Sequence, residues 1–123
     1  MALDDPEEIR ELFSVFGPVS VRRMFSGAGI YADGVMFALR ARGEIYLKAD
    51  AETVPLLEAE GSAPFSYQAK GRRVVMSFWR LPDRLLDDPE DLANFARAAL
   101  AAAHRAAAKK ARGRKRKIRS SKR

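Results

Sequence analysis

Six residues, Gly27-Ala28-Gly29-Ile30-Tyr31-Ala32, match the G-x-G-x-x-G/A spacing of a dinucleotide-binding loop. That chemistry needs glycines that close a strand, bring backbone N–H groups to a pyrophosphate and open a helix toward the charge. The context refuses it. The helix would have to run through Ala32-Asp33-Gly34-Val35, and Asp-Gly is a strong hairpin signal because both central residues of a type I′ turn need φ > 0. Ile30–Ala32 and Val35–Leu39 read as strands on either side. Gly27 and Gly29 are therefore expected at a bend or bulge leading into a hairpin.

The other groups capable of chemistry stand alone. His104, the single histidine, lies on an alanine-rich stretch with no Asp or Glu three or four residues away, so it reads as a solvated surface residue. The carboxylates Asp4, Asp5, Glu7, Glu8, Asp87, Asp88, Glu90 and Asp91 gather where helices begin, where capping and the helix dipole explain them. Ser26 sits in no nucleophile elbow and has no evident base. There is no cysteine, which removes disulfides, thiolate zinc sites and cysteine nucleophiles and fits a reducing cytoplasm. No catalytic, metal or cofactor-binding residue is assigned, and the chain is expected not to be an enzyme.

Binding chemistry is better represented. Trp79, Arg80 and the strand arginines Arg22, Arg23, Arg40, Arg42, Arg72 and Arg73 could form the basic, aromatic sheet face on which some modules hold single-stranded nucleic acid. Strict alternation puts Arg40 and Arg42 on one side with Met36 and Ala38, and Phe37 and Leu39 on the other. The polar face of a one-sided antiparallel sheet explains the same pattern. A ligand pocket between sheet and helices would involve Arg23, Tyr31, Lys48, Trp79 and Arg80.

The charge is unevenly distributed. Residues 109–123 hold ten cations, Lys109, Lys110, Arg112, Arg114, Lys115, Arg116, Lys117, Arg119, Lys122 and Arg123, and no acid. Residues 1–108 hold 13 basic and 16 acidic residues, a net −3, so the overall +7 belongs to the tail. Like charges at that density repel, which predicts a disordered tail or a frayed helix. Such an arm binds phosphates without sequence preference and with strong salt dependence. Nuclear import, adhesion to anionic membranes and simple solubilisation are rival uses of the same charge.

The elements that must position these groups follow from period and punctuation. Pro6, with Asp4 or Asp5 before it and Glu7-Glu8 after, opens a helix whose stripe is Ile9, Leu12, Phe13 and Phe16, closed by Gly17-Pro18. Alternation marks strands around residues 19–25 and 30–39, then at Glu44–Lys48 after a turn at Arg42-Gly43. Asp50 is placed as the cap of a short helix that Gly61 stops. "PFSYQA" and "RRVVMSFWR" make a second hairpin around Lys70-Gly71. Asp87 or Asp88 and Pro89 announce a last helix with Leu92, Phe95, Ala99, Leu100 and Ala103 inward, free to run into the tail. The order predicts an α+β fold, an antiparallel sheet with helices on one face. One domain, residues 1–108, followed by a basic tail, 109–123, fits the length. The acidic N-terminus is no signal peptide, and no apolar run is long enough for a membrane span.

The blocks Arg22-Arg23-Met24-Phe25, Gly27-Ala28-Gly29-Ile30-Tyr31, Asp33-Gly34, Phe37-Ala38, Leu47-Lys48 and Ser77-Phe78-Trp79-Arg80-Leu81-Pro82 occur in order. Over about residues 8–105 the chain resembles the N-terminal domain of the TfoX, or Sxy, family of bacterial competence regulators. The resemblance implies an α+β domain, a link to regulation of DNA-uptake genes and a transcription-related protein partner, since full-length members act with the cyclic-AMP receptor protein. It implies no enzymatic activity and no cofactor. Full-length members continue into a second, helical domain. Here the basic tail follows instead, and the expectation is that it supplies the nucleic-acid contacts. A ligand-binding domain or weak enzyme is the alternative, and the residues leave the oligomeric state open.

Overall fold

The computed structural model describes residues 5–24 and 26–121, with side chains as far as Arg114. Helix α1, Pro6–Leu12, begins as the sequence predicts: Pro6 fills the first turn and the Asp5 side chain accepts a hydrogen bond from the Glu7 N–H at 2.9 Å. The regular helix stops at Leu12, short of Gly17, yet Phe13 and Phe16 still reach the core from the turns that follow.

Six strands make one antiparallel sheet: β1 Ser20–Met24, β2 Gly27–Ala32, β3 Val35–Ala41, β4 Glu44–Lys48, β5 Pro64–Ala69 and β6 Arg72–Arg80. Their spatial order is β1-β2-β3-β4-β6-β5. Three hairpins turn on two-residue loops whose residues all have positive φ: Asp33-Gly34 (52° and 79°), Arg42-Gly43 (53° and 76°) and Lys70-Gly71 (51° and 74°). Glycine at the second position bears that backbone without a Cβ penalty, and the primed turn matches the twist of the strands.

Two sequence expectations fail in β2 and β3. Gly27 and Gly29 lie inside β2, opposite Met24 and Arg22, and form no bend. The irregularity falls across the sheet in β3: Ile30 pairs with Ala38 and Tyr31 with Met36, leaving Phe37 as an extra residue. A bulge of this kind resets the alternation of side chains. Phe37 and Ala38 consequently join the same core cluster, while Met36 and Leu39 belong to the opposite face. Met36 and Ala38 are therefore on different faces, and so are Phe37 and Leu39.

The main core lies between the sheet and the helices. Phe37 is fully buried, edge-on to Phe13 at 5.4 Å between ring centroids and tilted against Phe16 at 5.1 Å. Burying one such side chain stabilises the fold by about 1.5–3 kcal/mol. Helix α2, Val54–Ala59, buries Leu57, and a 3-10 turn, Asp83–Asp87, buries Leu85. Helix α3, Pro89–Ser121, follows Asp88, whose carboxylate accepts the Asp91 N–H at 3.1 Å. It packs on β3 and β4 through Leu92, Ala93, Ala96, Ala99, Ala102 and Ala103. Alanine at these spacings lets the helix backbone approach the sheet closely. The helices thus occupy one face, as the sequence predicts, and α3 continues without a break into the basic segment.

Candidate functional site

The face without helices has its own apolar patch. Leu39, Tyr46 and Phe78 are buried there, with Met36, Ala41, Phe65 and Met76 against them. Cross-strand pairing puts Tyr46 beside Arg80 and Lys48 beside Phe78, so side chains from β4 and β6 converge on this face. Tyr46 stacks edge-on to Phe65 at 4.9 Å, and Phe65 lies 6.2 Å from Tyr67. Cations roof the rings: Arg22 over Tyr31 at 4.9 Å, Arg42 over Phe65 at 5.2 Å and Lys48 over Phe78 at 5.1 Å. This surface is aromatic and cationic, where simple alternation predicts a polar sheet face.

Electrostatics on this face follow from burial and pairing. Burial pushes the Tyr46 phenol above its usual range, and the Glu44 carboxylate adds to the shift. Burial also lowers the Lys48 ammonium, with Asp50 opposing it. Arg80 donates to Glu44 at 3.0 Å and to Asp83 at 2.7 Å, which raise its pKa further. Glu44 is thereby committed to Arg80.

On the helix side, a cleft of about 420 Å³ opens between α1 and the first three strands. Arg23, Ser26, Gly27 and Arg40 line it beside Pro6, Ile9, Val21 and Ala28. Arg40 turns into this cleft because the bulge at Phe37 has reversed its side. Alternation alone could not reveal that, since the extra residue has no mark in the sequence.

The five residues expected around one pocket do not converge. Arg23 lines the cleft on the helix side, whereas Tyr31 stacks under Arg22 on the opposite face. Lys48 covers Phe78, and Arg80 is held by Glu44 and Asp83. Trp79 pairs with Leu47 and Pro64 within the sheet, and β3 and β4 separate its strand from that of Tyr31.

Two long-range side-chain contacts fasten α3. His104 Nε2 lies 2.9 Å from Asp33 Oδ2 at the β2–β3 turn, so the histidine has a carboxylate partner that local spacing did not offer. Arg105 donates to both oxygens of Asp50, at 2.7 and 3.1 Å, and contacts Glu52 at 2.8 Å. Asp50 thus receives α3 in addition to ordering the turn before α2, where it accepts the Glu52 N–H. Arg84 gathers Glu60 and Asp91 at 2.7 Å each, and its hydrogen bonds hold both carboxyls below their usual range. Among the described residues, no group of three His, Cys, Asp or Glu could hold a metal, and no helix is long and apolar enough to cross a membrane.

Beyond Arg105, α3 leaves the domain. Residues 106–114 are exposed, Lys109, Lys110, Arg112 and Arg114 among them. Lys115, Arg116, Lys117 and Arg119 fall within the helix bounds, but their side chains, like Lys122 and Arg123 entirely, lie outside the described residues.

An antiparallel six-stranded sheet with its helices on one side defines a small α+β domain. The chain belongs to the TfoX N-terminal domain family, whose model matches residues 11–103. No curated protein matches it.

Proposed function

We propose that this protein is a non-enzymatic, cytoplasmic regulatory adaptor. The basic segment 109–123 holds duplex DNA without sequence preference, and residues 1–108 meet a transcription-related protein partner. Family membership supports the regulatory part of this reading, in the manner of competence regulation. The observation that carries the DNA part is the charge: ten cations and no acid, on a segment that leaves a domain of net −3. Its first residues are exposed on α3, past the Arg105–Asp50 clasp. Even weak tethering of this kind raises the domain's effective concentration beside promoter-bound proteins. Among the described residues, every core side chain lies before Arg105, so a 1–108 truncation keeps that core. The truncation should retain the far-UV spectrum of the domain and lose duplex binding; undiminished affinity would overturn the reading.

The cleft favours a second reading, a site for a small anion beside Arg23, Ser26 and Arg40. A rise in melting temperature with millimolar phosphate or citrate, lost in Arg23→Ala, would support it.

A further inference from the structure

We propose that the helix-free face of the sheet binds single-stranded nucleic acid, with bases on its aromatic rings and phosphates on the arginines around them. This surface is separate from the basic segment and needs none of its residues. The domain as a whole is acidic, yet among the described residues this face carries Arg22, Arg42, Arg72, Lys48 and Arg80, and the two carboxylates that meet them, Glu44 and Asp83, both bind Arg80. Among the described residues, no carboxylate pairs with Arg22, Arg42 or Arg72. The excess positive charge therefore faces solvent on a surface that helices leave bare.

The apolar groups fit the other half of the ligand. Tyr67 is 40% exposed, and Tyr31 and Phe65 are half-buried. Two of these rings already carry a planar guanidinium at stacking distance, which is the contact a base makes when it displaces or sandwiches that group. From β1 to β5 the face spans roughly 24 Å at the usual strand spacing, room for several splayed bases. Duplex DNA hides its base faces and offers the rings nothing to stack on. An acidic peptide would satisfy the arginines but leave the rings without flat partners, so the aromatic content favours a single strand.

The test uses the full chain, fluorescein-labelled dT12 and a labelled 12-bp duplex. The variant Arg22→Ala/Arg42→Asn/Tyr67→Ala removes both roofs and one ring; asparagine keeps the positive φ at position 42. We expect dT12 affinity to fall about tenfold or more, as loss of base stacking does elsewhere, with duplex affinity unchanged. Equal dT12 affinity in variant and parent, or no dT12 binding by the parent, would overturn the proposal. So would displacement of dT12 by an equal concentration of a polyglutamate peptide of matching length, which would make the face an acidic-peptide site. Binding of dT12 that the variant loses, with no duplex binding by the parent, would uphold this face and defeat the tail reading. Should the variant misfold, photocrosslinking of bromodeoxyuridine-substituted dT12 to the parent decides. Crosslinks at Tyr31 or Tyr67 support the proposal; crosslinks confined to residues 109–123 refute it.

Discussion

Gly27 faces the carbonyl oxygen of Arg40 so closely that a Cβ at position 27 would strike it well inside van der Waals contact. The obstacle is backbone of a central strand and cannot swing aside. Gly29 also has crowded surroundings, but there a Cβ would meet Met36 Sδ, Tyr31 Cε1 and Met24 Sδ, all on side chains that can adjust. The apparent dinucleotide fingerprint is therefore a record of close packing in β2. Gly27→Ala should destabilise by about 1–3 kcal/mol, and Gly29→Ala by less, as overpacking of rigid and yielding sites does. Urea unfolding of the two variants measures the order; an equal or reversed order would contradict this account.

Phe37 owes its position to the bulge that puts it against Phe13 and Phe16. Truncation to alanine empties a site with no solvent exposure, and such deletions cost about 3–5 kcal/mol. Phe37→Ala is expected to lose a large part of the stability of so small a domain. Met36→Ala, on the half-buried opposite face, should cost less in the same thermal melts.

Acid should loosen the docking of α3. The Arg105 guanidinium beside Asp50, more than any other contact, holds the Asp50 carboxyl below its usual range. A carboxyl depressed in the folded state contributes stability that is present above its unfolded value, near pH 4, and lost as the pH falls through the folded value. Asp50→Asn should flatten that acid limb while leaving the stability at pH 7 lower than in the parent. An unchanged acid limb in the variant, followed by melting temperature between about pH 5 and pH 2, would refute this role for the pair.

His104 and Asp33 also bridge α3 to the sheet, but both side chains are substantially exposed, at 43% and 74%. Exposed pairs contribute about 0.2–1 kcal/mol. His104→Ala should therefore shift the urea midpoint only slightly. A loss comparable with that of Phe37→Ala would mean that the histidine carries a role its geometry does not indicate.

Much of this architecture is written locally. Each X-Gly pair at Asp33-Gly34, Arg42-Gly43 and Lys70-Gly71 specifies its hairpin by backbone conformation alone. Pro6 and Pro89 mark helix starts for an equally local reason. What stays hidden is what depends on distant partners. The bulge at Phe37 has no composition signature, and it alone decides that Arg40 enters a cleft. Asp33 meets His104 across 71 positions and Asp50 meets Arg105 across 55, separations at which spacing rules carry no information. The aromatic patch on the bare face was visible only in part, because Tyr46, Phe65 and Phe78 come from three strands whose adjacency follows from the crossover through α2.

The central claim, that residues 109–123 hold DNA, is most directly tested by fluorescence anisotropy of a labelled random-sequence duplex across a salt series. If about five residues engage phosphates, the logarithm of the association constant should fall against the logarithm of salt with a slope of roughly −4 to −5. The 1–108 truncation should show no such binding at any salt. A flat salt dependence, or no binding by the full chain at low salt, would contradict the account.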